Sequence, residues 1–201
     1  MHWLYKFKNM KRILIFITVL TALAFTDSFV GSTSVIIAPN SKLLINVKTN
    51  VNSFKCHYDV LKLNKPISVS FKNHGDKISF KKTTLVLENV NFDCGGPGIN
   101  NDFKELLKTK TYPKIFINLR EINKDQNNEN SIHALVDLEI AGVTKSYTIP
   151  IELKEEGTLF IKGVLPLNIR DFNLDPPKKA LGLIVVKDVI EINFELAVKK
   201  Y

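Results

Sequence analysis

The sequence predicts an all-β protein, an up-and-down antiparallel barrel of about eight strands with one short helix. Three observations carry that prediction. Apolar residues recur at every second position over most of the chain, turn residues interrupt those runs at even spacing, and only one stretch, near residues 100–109, changes to helical spacing. A length of 201 residues suits one domain or at most two, and a hydrophobic fraction of 45% supplies a sizeable core. A two-sheet sandwich is the second choice of architecture.

The first residues are of a different kind. Lys6, Lys8, Lys11 and Arg12 precede the uncharged run Ile13 to Phe25, and Ala22-Leu23-Ala24 offers small residues two apart. A basic start, a short apolar stretch and small residues describe a secretory signal peptide. The run is 13 residues long, short of the roughly 20 that span a bilayer; an uncleaved anchor is the alternative. The expected organisation is therefore a signal peptide at 1–24, a polar segment at 25–40 and a single barrel domain at 41–201, in a periplasmic or secreted protein. Four of the 28 basic residues and none of the 20 acidic ones precede residue 25, so the net charge of +8 falls to +4 over the remainder. Those charges are spread out. A nucleic-acid footprint would need clustered Lys and Arg with aromatics between them, so no nucleic acid is expected as a partner.

From Ser41 the first strand has Leu43, Ile45 and Val47 on one face. A second extended piece, Ser53 to Leu63, alternates Phe54, Cys56, Tyr58 and Val60. Pro66 opens the run Ile67, Val69, Phe71, which ends at the turn Asn73-His74-Gly75-Asp76. Ile78 and Phe80 restart the pattern, and Leu85 and Leu87 continue it after a basic stretch. Cys94-Gly95-Gly96-Pro97-Gly98 interrupts regular structure. Asn100 or Asn101 can then cap a helix in which Phe103, Leu106 and Leu107 share a face. A helix so short needs an apolar surface, which places it across one barrel end.

Ile115, Ile117 and Leu119 resume strand period, and 123–130 is a polar loop. The clearest element is the hairpin at 132–153. Ile132, Ala134, Val136, Leu138 and Ile140 alternate before Gly142, and Tyr147, Ile149, Ile151 and Leu153 after it, with Thr144-Lys145 as the expected polar tip. Leu159, Ile161, Gly163 and Leu165 form another strand, 169–177 is irregular, and Ile190, Ile192, Phe194 and Leu196 face inward on the last strand.

Cys56 and Cys94 are the only cysteines, and in an exported chain two imply a disulfide. Two buried free thiols or half of a metal site are the alternatives, though His57 and His74 lack zinc-ligand spacing. Catalytic patterns are absent. There is no G-x-S-x-G elbow, no H-E-x-x-H and no phosphate-cradling glycine loop, and His133 falls on an outward strand position. No catalysis, no cofactor and no metal are expected. What remains is an interior of Ile, Leu, Val and Phe, either filled by these side chains or hollow enough for an apolar ligand.

Three segments, in order, resemble the YceI-like family of exported polyisoprenoid-binding proteins with a lipocalin-like barrel. They are Ile140-Ala-Gly-Val-Thr-Lys-Ser-Tyr-Thr-Ile-Pro-Ile151; Asn101-Asp102 through Leu106-Leu107 to Tyr112-Pro113-Lys114-Ile115; and Ile169-Arg170-Asp171-Phe172-Asn173-Leu174. The similarity spans roughly residues 40–198. Cys94-Gly95-Gly96-Pro97-Gly98 stands where the family carries a Thr- and Arg-Asp-containing segment, and Asn173 stands where Gly is common.

The resemblance implies an exported protein that holds an isoprenoid or fatty acyl chain for storage or transport. Phe92, Phe103, Ile115, Ile117, Ala134, Val136, Ile149, Ile151, Phe172, Ile192 and Phe194 are the expected cavity wall, and Arg170, Lys178 and Lys179 the expected rim for a charged head group. A one-residue slip in register would turn a whole strand's set outward. The alternative is a packed-core barrel, envelope or stress-related, acting through surface protein–protein contacts. The oligomeric state is open between a monomer and a homodimer.

Overall fold

A computed structural model describes residues 29–124, 131–176, 178–179 and 184–201. The region expected to be a signal peptide lies outside them, as does most of the expected polar loop at 123–130. Among the described residues, thirteen strands and one α-helix follow in chain order: β1 Phe29–Ile37, β2 Lys42–Lys48, β3 Ser53–Tyr58, β4 Ile67–Asn73, β5 Lys77–Glu88, β6 Phe92–Asp93, α1 Pro97–Leu106, β7 Lys114–Lys124, β8 Ile132–Ile140, β9 Val143–Glu155, β10 Leu159–Asn168, β11 Lys178–Lys179, β12 Ile184–Val185 and β13 Val189–Lys200. Eight of them, β1-β4-β5-β7-β8-β9-β10-β13, close into an antiparallel ring through the pairing of β13 with β1. Closure pairs most of the edges that an open sheet of this size would leave free for edge-to-edge association.

Strand β1 corrects the expectation of a polar entry segment. Phe29–Ile37 carries Ser and Thr among its apolar residues, a pattern easily taken for a loop, yet it pairs with β4 over most of its length and with the end of β13. After a jog at Ala38–Ser41 the chain runs on as β2 along the same edge of β13. The jog is held to the ladder by Ala38 N–H donating to Ala197 O at 2.8 Å and Ala197 N–H donating to Ser41 Oγ at 2.9 Å. Pro39, which has no N–H to give, sits where the strand leaves the ladder. β2, β3 and β6 then extend the sheet beyond β13.

Two bulges reconcile the inward residues of β5 and β7 with a strict period of two. Phe80 and Leu85 both line the interior although they are an odd number of positions apart. The register between β5 and β7 shifts between Ser79 and Thr83, and Lys82 takes the shift at φ 56°. On β7 the register with β8 shifts between Leu119 and Glu121, so Leu119 and Ile122 both point inward. The central hairpin has a two-residue turn at Ala141-Gly142, both with positive φ, so Thr144-Lys145 belong to β9 and not to the tip. The Tyr112 ring lies against Gly142, where an added Cβ would come within 2.6 Å of it.

The helix starts three residues before its expected position. Gly96 occupies the N-cap and Pro97 the first turn, where a missing N–H costs nothing. Asn100 does not cap it. Its Oδ1 accepts from Cys94 N–H at 2.6 Å and its Nδ2 donates to Asp93 Oδ1 at 3.0 Å, which pins the segment between β6 and α1. The Asn100 amide, with Gly95 N–H and His57, holds the Asp93 carboxyl below its ordinary range. Cys56 and Cys94 are joined by a disulfide that ties β3 to this segment.

Candidate functional site

The ring has one packed end and a hollow beyond it. The packed end lies where Leu87 pairs with Ile115 and Leu167 with Ile190. There the 3-10 turn Ile169–Phe172 folds in, leaving Phe172 fully buried with Ile169 and Leu174 beside it. Asn173 ends that turn in the left-handed conformation at φ 55°, which Asn tolerates better than other residues with a Cβ. Phe92 lies 4.9 Å from the Tyr58 ring, edge to face, and 5.1 Å from Phe103, bringing β6, β3 and α1 onto the same cluster.

Beyond this plug the barrel encloses a cavity of about 290 Å³. Protein interiors pack with few voids larger than a water molecule, and an engineered apolar cavity of roughly 150 Å³ already admits benzene. A space of this size is large enough to take an apolar ligand. The wall is aliphatic and aromatic apart from Thr83. Thr83 is 8% exposed, and its Oγ1 has no hydrogen-bond partner among the described residues.

Of the eleven residues expected to form the wall, Ile117, Ala134, Val136, Ile149, Ile151, Ile192 and Phe194 do line the cavity. Phe92, Phe103, Ile115 and Phe172 do not. They belong to the packed end, where Phe92, Ile115 and Phe172 are buried and Phe103 packs against Phe92. Period two identifies which residues point inward but not how far along the axis each one sits. The wall also takes Ile161 and Leu165 from β10 and Leu196 and Val198 from β13. Val35 and Ile37 on β1, Val69 on β4 and Phe80 on β5 complete it on the other side. Their signal was present as inward parity, except for β1, whose polar residues hid it.

Arg170 is not free for a head group. It is ion-paired with Asp175, and its Nε donates to Asp188 Oδ1 at 3.2 Å. Lys178 and Lys179 pair with Val185 and Ile184 through the backbone, and their side chains lie outside the described part of the structure. Among the described residues the histidines are dispersed over β3 (His57), the turn after β4 (His74) and β8 (His133). Among the described residues no group of three or more His, Cys, Asp or Glu could share a metal ion. Tyr147 has the largest perturbation near the plug. Burial, then the charge of Asp171, then a 3.2 Å hydrogen bond from its hydroxyl to Asp171 Oδ2 raise it to about 12. Asp137 is lowered by the Ser146 hydroxyl at 2.7 Å and by Arg120 at 2.6 Å. These are ties between neighbouring elements, not a nucleophile with a base.

Residues 40–198 match the model of the YceI-like domain. Similar solved structures include BcnA of Burkholderia cenocepacia, at 23% identity and TM-score 0.59, covering 79% of this chain and 95% of that one. A polyisoprenoid binding domain from Saccharophagus degradans, implicated in plant cell wall breakdown, is 14% identical with TM-score 0.59, covering 85% and 100%. A Campylobacter jejuni YCEI protein is 17% identical with TM-score 0.50, covering 61% and 73%. These likenesses are of fold. No curated protein matches the chain.

Proposed function

The chain belongs to the YceI-like family, and from that premise we propose that it is an exported carrier holding one isoprenoid or fatty acyl chain in its barrel. The observation that carries this reading is the apolar cavity of about 290 Å³ beyond the packed end. Moving an apolar chain from water to such a wall is favourable by about 25 cal/mol per Å² buried and needs no hydrogen bonds. The polyisoprenoid-binding relative from Saccharophagus degradans has the same fold. The role is storage or transport without chemistry, in the periplasm or outside the cell.

Native mass spectrometry of the protein purified from its own host, followed by organic extraction, tests the proposal. The expected result is a stoichiometric extra mass that extracts as a prenyl or acyl lipid. A bare chain that also fails to take up added farnesol or palmitate overturns it and turns attention to the outer surface as the working part. The same spectra give the oligomeric state.

A further inference from the structure

The barrel wall is incomplete on one side. β4 pairs with β1 from Ile67 to Asn73, and β5 pairs with β7 out to Glu88, but β4 and β5 are joined only between Ser70↔Lys81 and Asn73↔Ile78. The bulge at Lys82 is the cause. Continued in register, Ile67 would face Thr84, but the bulge has turned Thr83 and Leu85 inward, so side-chain parity no longer matches and the ladder stops. Farther along, the facing edge of β5 is met from β3, where Glu88 N–H donates to the Tyr58 hydroxyl at 3.3 Å. Between these two points lies a window in the wall.

Outside the window is a groove of about 560 Å³, and Ile67 and Leu85 line both this groove and the inner cavity. The groove carries Lys62, Lys65 and Lys82 against one carboxylate, Glu88. No ion pair among the described residues takes up any of these four groups. Lys82 holds positive φ, a conformation costly for a residue with a Cβ and one that a glycine would adopt freely. On the inner side of the same strand Thr83 offers its unpartnered hydroxyl to the cavity.

We infer that the β4–β5 window is the port of the binding site, and that the lysine groove outside it holds the anionic head, a phosphate or carboxylate, of a ligand whose chain lies in the cavity. The inference rests on the carrier reading and deepens it: the ligand is an amphiphile with one acidic end. The head group is thereby assigned to Lys62, Lys65 and Lys82, where an anion meets a net positive surface. Thr83, next to Lys82 on the strand, turns its hydroxyl to the cavity side, where it can donate to an ester oxygen of a phosphate head.

Calorimetric titration of the full chain with hexadecanol, hexadecyl phosphate and inorganic phosphate tests this. Hexadecyl phosphate is expected to bind at least about tenfold more tightly than hexadecanol, with a gain that shrinks as salt is raised. The variant Lys62→Ala/Lys65→Ala/Lys82→Gly should lose that gain while keeping its affinity for hexadecanol, and Arg170→Ala should keep both. Lys82→Gly alone relieves the backbone, so it folds and gives a part of the same loss if the triple variant does not fold. Equal affinity of the parent protein for the alcohol and the phosphate overturns the inference and leaves the carrier reading standing. Inorganic phosphate saturating the groove without competing with hexadecyl phosphate overturns the head-group assignment. If neither chain binds, the carrier reading itself has failed and the inference falls with it.

Discussion

Thr83 is the one polar residue in an apolar wall, and its position is a consequence of Lys82. Without the bulge its side chain would face solvent; with it, a hydroxyl is buried with no partner among the described residues. A buried unsatisfied group costs about 1–3 kcal/mol, and Val has nearly the same shape. Thr83→Val should therefore stabilise the ligand-free protein by about 1 kcal/mol, seen as a higher urea midpoint at unchanged slope. A lower midpoint would mean that the hydroxyl has a partner after all. Tyr147 gives a pH signature. Its value of about 12 exceeds its ordinary 10, so the folded state holds that proton more tightly than the unfolded one. The stabilisation is complete below pH 10 and is lost as pH rises through about 12. In Asp171→Asn the charge that opposes ionisation is gone, and ultraviolet titration should find one tyrosine ionising closer to 10. No difference between the two titrations would refute the pairing.

The disulfide works on elements. It fastens β3 to the segment leading into α1 across a sequence separation of 38. In the chain-entropy model, closing such a loop stabilises by about 4 kcal/mol. Cys56→Ser/Cys94→Ser should lower stability by a large part of that, with α1 and β6 released from the plug first, since β6 is only two residues long. Hydrogen exchange would report the order: early exchange in 92–106 and continued protection of β8 and β9. Uniform exchange over the whole barrel would sink the idea of a stapled plug. The central hairpin needs no such staple. Its two-residue turn and alternating faces are local features; the period in the sequence located β8, but it placed the turn at Thr144-Lys145, whereas β9 already begins at Val143.

The barrel as a whole is a balance between side chains that fill it and small residues that keep it open. Gly163 on β10 pairs with Phe194 on β13, and the ring lies over the glycine; an added Cβ would come within 2.5 Å of Cζ. Gly163→Ala should push the ring into the cavity, at a cost of about 1–3 kcal/mol for overpacking. The thermal midpoint should fall and the longest lipid taken up should become shorter. An unchanged midpoint and unchanged uptake would mean that the ring moves elsewhere without cost.

Much of this was legible in the sequence alone: the β class, the hairpin, the bonded cysteine pair and the inward faces of most strands. Those features are set by period two, by turn residues and by covalent chemistry, all of which act over a few residues or through one bond. The family resemblance extended that reading over residues 40–198. Tertiary structure decided the rest. Phe92, Phe103, Ile115 and Phe172 pack into the plug because depth along the barrel axis depends on which elements cover its end. Phe29–Ile37 became a strand because β4 and β13 offered it edges, a pairing no local pattern reveals. The interior stayed hollow because strand number and tilt set the radius of a closed sheet, and the side chains that happen to face inward need not fill it.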